Sequence, residues 1–473
     1  MKIKNFFIKN YLMILILSFT FLAHLFFFFN FHEIWWDSGV YIGMGKFLLS
    51  LGKVGLWEHI RPVFWPVILG TSWKLFPNNF ILIPKILELI LVVSSVFLIY
   101  LIGKKVYSKT AGIIAAAFLA SSTILFYLSF HLYTEIPVLF FVLLAYYFLI
   151  NDKSFFAGLF LAIAFLTKFP SALFLAIVFF FLLFRKSYKQ ILYLVLGSFV
   201  VLIPFFISNI VFYHNIFGGL LDAQQVIRNV LGCNVLRSQP WYYYFFLIFF
   251  YENKFLAVSL VGFFRKSKYS LLITMSLIIP LLYFIFLPCR DYRYLVMFLP
   301  FVILLAGAGL ELLINSFRKK QFKVLILISL VLAVSFVGYR MAFVFYENNE
   351  AISYSAEKES FFNYLDNRSV SGEVWTSNPV LSAYSDNKLN KIYYPVYDGN
   401  ISTTFFNYLH NNSDKIEFVF LDNCGGGIIC HPDDYVCSSN NGEMISYLNK
   451  EFNLVLKTSK NNCWYKVYHN LAY

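Results

Sequence analysis

Long apolar runs separated by short polar junctions fill most of this chain. The first run covers residues 11–31, and ten more follow it, each approaching the ~20 residues that a helix needs to cross a membrane. The later runs are 81–102, 111–128, 136–150, 154–166, 170–184, 191–213, 241–264, 270–287, 295–310 and 324–338. The pattern predicts a mainly α-helical, polytopic transmembrane bundle of about eleven spans over residues 1–345.

Two of these runs leave an alternative open. Residues 11–31 follow a basic start, as in a signal peptide, but the run is longer than a usual signal segment and no small-residue cleavage site follows it. We therefore expect a retained first span. Residues 241–264 contain Glu252 and Lys254, which indicates either a broken helix or an interfacial segment.

Lysine and arginine determine the predicted orientation, because they cluster at alternate junctions. The clusters comprise Lys2, Lys4 and Lys9; Lys104, Lys105 and Lys109; Arg185, Lys186 and Lys189; Arg265, Lys266 and Lys268; and Arg318, Lys319, Lys320 and Lys323. Only the junction at Asn151 is weakly basic. Basic junctions are typically cytoplasmic, so we expect a multi-pass protein of the cell membrane with its amino terminus in the cytoplasm. The polar tail, residues 346–473, is then extracytoplasmic.

The tail has a different pattern from the rest of the chain. The runs "GEVWTSN", "KIYYPV", "IEFVFLD" and "WYKVYHN" predict strands, whereas "SAEKESFFNYLDN", "STTFFNYLHN" and "GEMISYLNKEF" have the apolar spacing of helices. This predicts a small extracytoplasmic α/β domain. Four of the six cysteines lie there and are expected to form two disulfides, while Cys233 and Cys289 stand apart. The alternative is a metal site built from Cys424, Cys430, His431 and Cys437.

Composition agrees with a membrane protein, and the distribution of charge argues against nucleic acid as a partner. The chain has 473 residues, of which 59% are hydrophobic and 13% charged, and its mean hydropathy is +0.68. A net charge of +13 would suit nucleic acid, but the basic residues lie in the short clusters that are typical of cytoplasmic loops. We therefore expect no nucleic-acid partner.

The first outward junction, residues 32–79, concentrates unusual polar side chains. It contains Glu33, Asp37, Glu58, His59 and Arg61. Taken alone, Asp37 is explained as a cap of the amphipathic helix predicted for "DSGVYIGMGKFLLS", and the tryptophans before it as interfacial anchors. The shared loop favours function, because "RPVFWPVILGTSWKLF" is apolar enough to dip into the membrane and form an interfacial cavity.

Four motifs along the membrane part occur in an order that resembles a known group of enzymes. They are "WWDSGVYIGMGKFLLSLGKVGLWEHIRPVFWPVILGTSWKLF", "YTEIPVLFFVLLAYYFL", "GLFLAIAFLTKFPSALFL" and "CRDYRYLVMFLPFVILLAGAGLELL". The series resembles the polytopic glycosyltransferases of the C-type fold, near the protein O-mannosyltransferases and aminoarabinose transferases. The resemblance implies transfer of a sugar from a polyprenyl-phosphate donor to a lipid, glycan or protein acceptor outside the cell.

The resemblance also assigns roles to individual residues. It makes Asp37 the acidic residue of the first outer loop that lies in the active site, where a carboxylate suits a base or a group that orients the acceptor. Arg61 matches the basic-proline pair that follows this loop in the family, and we expect it at the donor phosphate. Arg290 and Arg293 are the next phosphate candidates, with interfacial snorkelling as the alternative. Lys168 is expected to serve likewise.

The remaining candidates are acids and histidines. Glu135 stands where the family has an acidic residue in the second outer loop, so we expect a second catalytic acid, the alternative being a carboxylate at a helix start. Glu58 and His59 resemble a position where some relatives hold a divalent metal, with His214 as the distant ligand. The spacing departs from that pattern, because two residues separate Glu58 from Arg61 where the relatives have adjacent residues. A divalent metal stays an open alternative, and no other cofactor is indicated.

Two other functions are compatible with a polytopic chain. A transporter or lipid flippase commonly has internal repeats and broken helices at the membrane midplane, whereas here no repeat is visible and most charges lie at the outer rim. A receptor whose tail binds a ligand would leave the first outer loop unexplained. The sequence therefore favours an integral-membrane glycosyltransferase, with a transporter as the alternative.

Overall fold

The structure, a computed structural model, describes residues 2–28, 34–228, 238–287, 289–316, 319–350, 355–366, 368–393, 400–424, 427–460 and 462–473. Its described residues form two compact units. The bundle unit lies within residues 1–32, 85–219 and 239–349, and the loop–sheet unit within residues 33–84, 220–238 and 350–473. The first outer loop thus belongs to the same unit as the tail, whereas the predicted domain boundary at residue 345 separates them in sequence.

Helices account for most of the described chain. They are α1 (Lys2–Phe28), α2 (Trp36–Leu49), α3 (Phe64–Leu75), α4 (Leu82–Val106), α5 (Lys109–Ala120), α6 (Thr123–Leu128), α7 (Glu135–Ile150), α8 (Ser154–Thr167), α9 (Ala172–Phe184), α10 (Tyr188–Tyr213), α11 (Gly218–Arg228), α12 (Tyr243–Phe246), α13 (Ser259–Gly262), α14 (Ser270–Phe286), α15 (Leu295–Asn315), α16 (Lys320–Glu350), α17 (Ala356–Phe362), α18 (Leu381–Tyr384), α19 (Asn400–Asn412) and α20 (Tyr435–Glu451).

The bundle unit has the apolar helices that the sequence predicts. Within the described ranges, five helical stretches are long and apolar enough to cross a membrane: Asn10–Phe28, Leu82–Val106, Tyr188–Tyr213, Tyr292–Asn315 and Gln321–Phe343. Shorter apolar helices accompany them. Helix α15 is buried almost throughout, whereas only 22% of the apolar windows in α10 and α16 is buried, as expected of helices that face lipid. The predicted class, a multi-pass helical membrane protein, is confirmed, and the number of spans stays a prediction.

The apolar run 241–264, which contains Glu252 and Lys254, forms a broken helix. This was one of its two predicted alternatives. Helix α12 continues as a π-helical turn, Leu247–Glu252, and helical hydrogen bonding stops at Asn253. Buried Glu252 accepts hydrogen bonds from the backbone N–H groups of Thr123 (3.1 Å) and Ile124 (2.8 Å) at the start of α6. The carboxylate thus satisfies helix-start donors that have no partner within their own helix.

Helix α2 begins one residue before Asp37, close to the predicted start, but it is not amphipathic. Its residues from Ser38 to Lys46 are all buried, because α2 packs against α3 and α18 within the loop–sheet unit. Even Lys46 is buried, with its ammonium 2.7 Å from the Asp386 carboxylate. The sequence pattern did not predict this burial, because glycines, and a lysine whose charge is paired, do not appear as apolar positions.

The tail forms a five-stranded mixed sheet in the order β2-β1-β3-β5-β4. Its strands are β1 (Glu373–Thr376), β2 (Leu389–Lys391), β3 (Ile416–Asp422), β4 (Phe452–Lys460) and β5 (Cys463–Asn470). β1 runs parallel to β2 and β3, and β5 runs antiparallel to β3 and β4. The fold class is confirmed. Strand β4 was not predicted, because as an exposed edge strand it lacks a clear apolar alternation.

The tail cysteines form the two predicted disulfides, Cys424–Cys463 and Cys430–Cys437. The alternative metal site is therefore not formed, because all three of its cysteines are in disulfides. Cys289, expected to stand apart, is disulfide-bonded as well. Cys233 and Glu33 lie outside the described residues.

Candidate active site

Asp37 and Arg61 form an ion pair at the start of α2. Arg61 Nη2 lies 2.8 Å from Asp37 Oδ1, and the side chains of Asp37 and Arg61 are only 15% and 17% exposed, respectively. The guanidinium also donates to the Tyr41 hydroxyl (3.2 Å) and lies over the Tyr41 ring, 5.2 Å from its centroid. Asp37 stands in the first helical turn, where the helix dipole favours a negative charge. The geometry holds one carboxylate in a fixed position beside a cation.

Glu58 extends this pair into a buried network. Its Oε2 accepts a hydrogen bond from Arg61 Nε at 2.5 Å, and its Oε1 lies 3.5 Å from the Lys391 ammonium. Burial alone would raise the pKa of Glu58, but the charges of Arg61 and Lys391, with the Tyr393 hydroxyl, together lower this pKa below its usual value. Glu58 therefore stays ionised although it has no exposed surface.

These residues do not fit a divalent metal at Glu58. Both of its oxygens face cations, so a metal ion would have to displace Arg61 or Lys391 against their charge. His59 instead pairs with Asp222 (3.2 Å), and His214 ends α10 on the bundle unit with an exposed side chain. Among the described residues, no three metal-ligating side chains cluster. The observed side chains give Glu58 the role of an anion that orients Arg61.

A second ion pair lies in the bundle unit, at the start of α7. Glu135 is 1% exposed, and its Oε1 lies 2.6 Å from the Lys168 ammonium, which follows α8. Lys168 also lies over the Tyr294 ring at 5.4 Å. The structure thus brings together two residues that the sequence predicted for different roles, an acid and a phosphate contact, across two junctions predicted to face outward.

The two arginines of "CRDYRY" differ in their surroundings. Arg293 donates two hydrogen bonds to the Asp291 carboxylate (2.9 and 3.1 Å). It also lies over the ring of Tyr133, two residues before Glu135. Arg290 donates to the carbonyl oxygens of Ile285 and Gln239, and thereby satisfies the end of α14. Arg293 keeps the surroundings of a candidate anion contact, whereas the observed bonds of Arg290 are those of a helix cap.

Sequence reasoning missed three members of these clusters. Lys391 and Tyr393 lie in the tail, far along the chain from the loop they contact, and nothing local in "NKIYY" marks them. Asp291 stood inside a motif chosen for its arginines. An acid two residues before an arginine is a signal for the observed pairing, because the Asp291 carboxylate also caps the turn at Arg293.

Comparisons with known proteins agree with this fold. Residues 61–210 match the sequence model of the family described as dolichyl-phosphate-mannose-protein mannosyltransferase. The matched segment includes Arg61, Glu135 and Lys168. No curated protein matches the chain.

Solved structures share the fold at low sequence identity. ArnT from Cupriavidus metallidurans bound to undecaprenyl phosphate matches with a TM-score of 0.70 and 11% identity, covering 98% of each chain. The Archaeoglobus fulgidus oligosaccharyltransferase in its apo form matches with a TM-score of 0.60 and 12% identity, covering 88% of this chain and 70% of that one. AglB from the same organism, in complex with an inhibitory peptide and a dolichol-phosphate, matches at 0.57 and 12%, covering 98% and 74%.

The family match and the shared fold confirm the predicted resemblance to glycosyltransferases of the C-type fold. Together they indicate that this chain is a membrane glycosyltransferase.

Proposed function

We propose that this protein transfers a sugar from a polyprenyl-phosphate donor to an acceptor on the extracytoplasmic face of the membrane. The observation that carries the proposal is the Asp37–Arg61 pair, which sets a fixed carboxylate beside a cation in a chain with this fold. ArnT and AglB were solved with undecaprenyl phosphate and a dolichol-phosphate, respectively, which supports the class of donor.

The chemistry assigns one role to each member of the pair. Asp37 orients the acceptor hydroxyl or amine and takes its proton as the acceptor atom bonds to the anomeric carbon. The bond between that carbon and the phosphate oxygen breaks, and the electron pair leaves with polyprenyl phosphate. Arg61 compensates the charge that develops on the departing phosphate. Glu135, Lys168 and Arg293 are proposed as further contacts to the sugar and its phosphate.

The alternating basic junctions support an orientation for this reaction. With the amino terminus in the cytoplasm, the first outer loop (residues 32–79) and the soluble domain (346–473) face outward. In this arrangement residues 1–345 form the transmembrane transferase domain, and the soluble domain helps to hold the acceptor.

The test is transfer of radiolabelled sugar from a panel of polyprenyl-phosphate sugars by the purified protein in lipid. Asp37→Asn keeps the size of the side chain and removes its charge, so transfer should be abolished while the protein stays folded. Asp433→Asn is the matched control, because the Asp433 side chain is 89% exposed and pairs with His431. It should transfer at the wild-type rate.

Two results would contradict the proposal. Wild-type turnover by Asp37→Asn would remove Asp37 from the reaction. If the folded wild-type protein consumed no donor of the panel, a transporter or flippase would replace the transferase.

A further inference from the structure

Lys391 reaches the candidate site from the tail. It is the last residue of β2, at the edge of the sheet, and its ammonium lies 3.5 Å from Glu58 Oε1. All the residues concerned belong to the loop–sheet unit. No sequence motif points to this lysine.

The backbone explains why Lys391 lies at this point. Gly55 and Lys388 form a parallel bridge, in which Leu389 N–H donates to the Gly55 carbonyl (2.8 Å) and Gly55 N–H donates to the Asn387 carbonyl (2.9 Å). Gly55 has a φ of 83°, which favours glycine. Glu58 and Lys391 each follow the bridge by three residues, so the register places them side by side.

The charges in the network make the lysine necessary. Arg61 alone would face two carboxylates, Asp37 and Glu58, and its charge would be over-neutralised before any donor phosphate arrived. Lys391 brings the four side chains to electrical balance. Glu58 is completely buried, whereas the Lys391 side chain is 37% exposed, so the lysine compensates the buried carboxylate from its solvent side.

Tyr393 supports the same arrangement. Tyr393 helps to lower the pKa of Glu58, and its ring meets that of Trp36 edge-on, with centroids 5.2 Å apart. Trp36 is the neighbour of Asp37 at the start of α2. The short stretch of tail from Lys391 to Tyr393 therefore contacts Glu58 and also Trp36, the residue next to Asp37.

We propose that Lys391 is a positioning residue for sugar transfer that acts through Glu58, leaving the charge of Arg61 available to Asp37 and the donor phosphate. The inference rests on the proposed function and deepens it, because it makes the soluble domain part of the donor site. Lys391 itself need not touch the substrate.

The experiment compares the kcat and the KM for donor of Lys391→Met, Lys391→Arg and the double variant Glu58→Gln/Lys391→Met in the full-length protein in lipid. We expect Lys391→Met to raise the donor KM by about tenfold, a typical coupling between neighbouring charges, with a smaller change in kcat. Lys391→Arg should retain the wild-type KM within about twofold, because it keeps the charge. Lys388→Met is the matched control, since this exposed lysine lies in the same segment. It should behave as wild type.

The double variant separates action through Glu58 from direct contact. If Lys391 acts by neutralising Glu58, removing the carboxylate charge as well should recover most of the lost donor affinity. A donor KM that stays raised in the double variant, in a protein with wild-type thermal stability, would show that Lys391 contacts the phosphate itself and would overturn the inference.

Failure of the inference can be distinguished from failure of the proposed function. A donor KM in Lys391→Met equal to that of Lys388→Met, with wild-type transfer present, would overturn only the inference. Absence of transfer by the wild type would overturn the proposed function and this inference with it.

Discussion

Burial of Glu58 depends on the groups around it. An ionised carboxylate without exposed surface is costly unless it is paired, and here a guanidinium, an ammonium and a phenol surround it. The sequence predicted that Asp37, Glu58 and Arg61 lie close together, because the three share one outer loop. It did not predict Lys391, because a partner on a distant strand leaves no local signal, and without that lysine a metal ion remained a plausible counter-charge for Glu58.

The pH dependence of stability is testable at a second buried carboxylate, Asp422 at the end of β3. Burial raises the pKa of Asp422 to about 6, although Ser377 and Asn378 donate to its oxygens and Lys358 attracts its charge. The folded protein therefore holds this proton more tightly than the unfolded chain, whose aspartate pKa is 3.8. The free energy of unfolding should fall as the pH rises from about 4 to about 6. The loss should be roughly 3 kcal/mol at most.

Hydrogen exchange of peptides covering β3, corrected for intrinsic exchange rates, measures this local stability in the full-length protein. Asp422→Asn should lose the pH dependence, whereas Asp433→Asn, on an exposed side chain, should keep it. Equal protection of wild-type β3 across this pH range would contradict the prediction.

At the scale of elements, α2 and α3 approach each other through glycine. A Cβ on Gly70 would clash with the Gly45 carbonyl oxygen, and a Cβ on Gly45 would clash with the Pro66 carbonyl oxygen. The link between these helices carries Glu58 and Arg61. The sequence predicted an apolar segment returning toward the membrane here, but not this close crossing, because a glycine in an apolar run does not identify its partner.

Gly70→Ala should therefore force α2 and α3 apart. We expect a loss of roughly 1–3 kcal/mol of stability, as in other overpacked contacts, and a fall in transfer activity because the Asp37–Arg61 distance depends on the crossing. Thermal unfolding in detergent and sugar transfer would be measured together. Gly442→Ala is the control, since nothing lies within 4 Å of a Cβ there and alanine suits the interior of α20. A Gly70→Ala protein with wild-type stability would show that the crossing relaxes freely.

At the scale of the whole molecule, periodicity and composition suffice for the class of fold. Apolar runs predicted the helices of the bundle unit, and the strands "GEVWTSN", "IEFVFLD" and "WYKVYHN" appear in the sheet at nearly the predicted positions. The grouping of the first outer loop with the tail could not be predicted, because it depends on contacts such as the bridge between Gly55 and Lys388. Such contacts join segments that are far apart in sequence, and hydrophobic periodicity reports only on neighbouring residues.

The orientation of the molecule is the last prediction, and the reaction depends on it. Tail disulfides are typical of an oxidising compartment and basic junctions are typical of the cytoplasm, so both predict a tail outside the cell. Two matched variants, each with one introduced cysteine, test this: Lys105→Cys at an exposed position in the last turn of α4, and Lys450→Cys on the tail, where the side chain is 82% exposed. The described native cysteines are disulfide-bonded and do not compete for label.

A membrane-impermeant maleimide applied to intact cells should label Lys450→Cys at once and Lys105→Cys only after the membrane is permeabilised. The two substitutions exchange the same residue types, so a difference in labelling reports the side of the membrane and not the chemistry of the site. The reverse pattern would place the tail and Lys391 in the cytoplasm. The donor sugar would then have to be presented on the cytoplasmic leaflet, and transfer on the extracytoplasmic face would be ruled out.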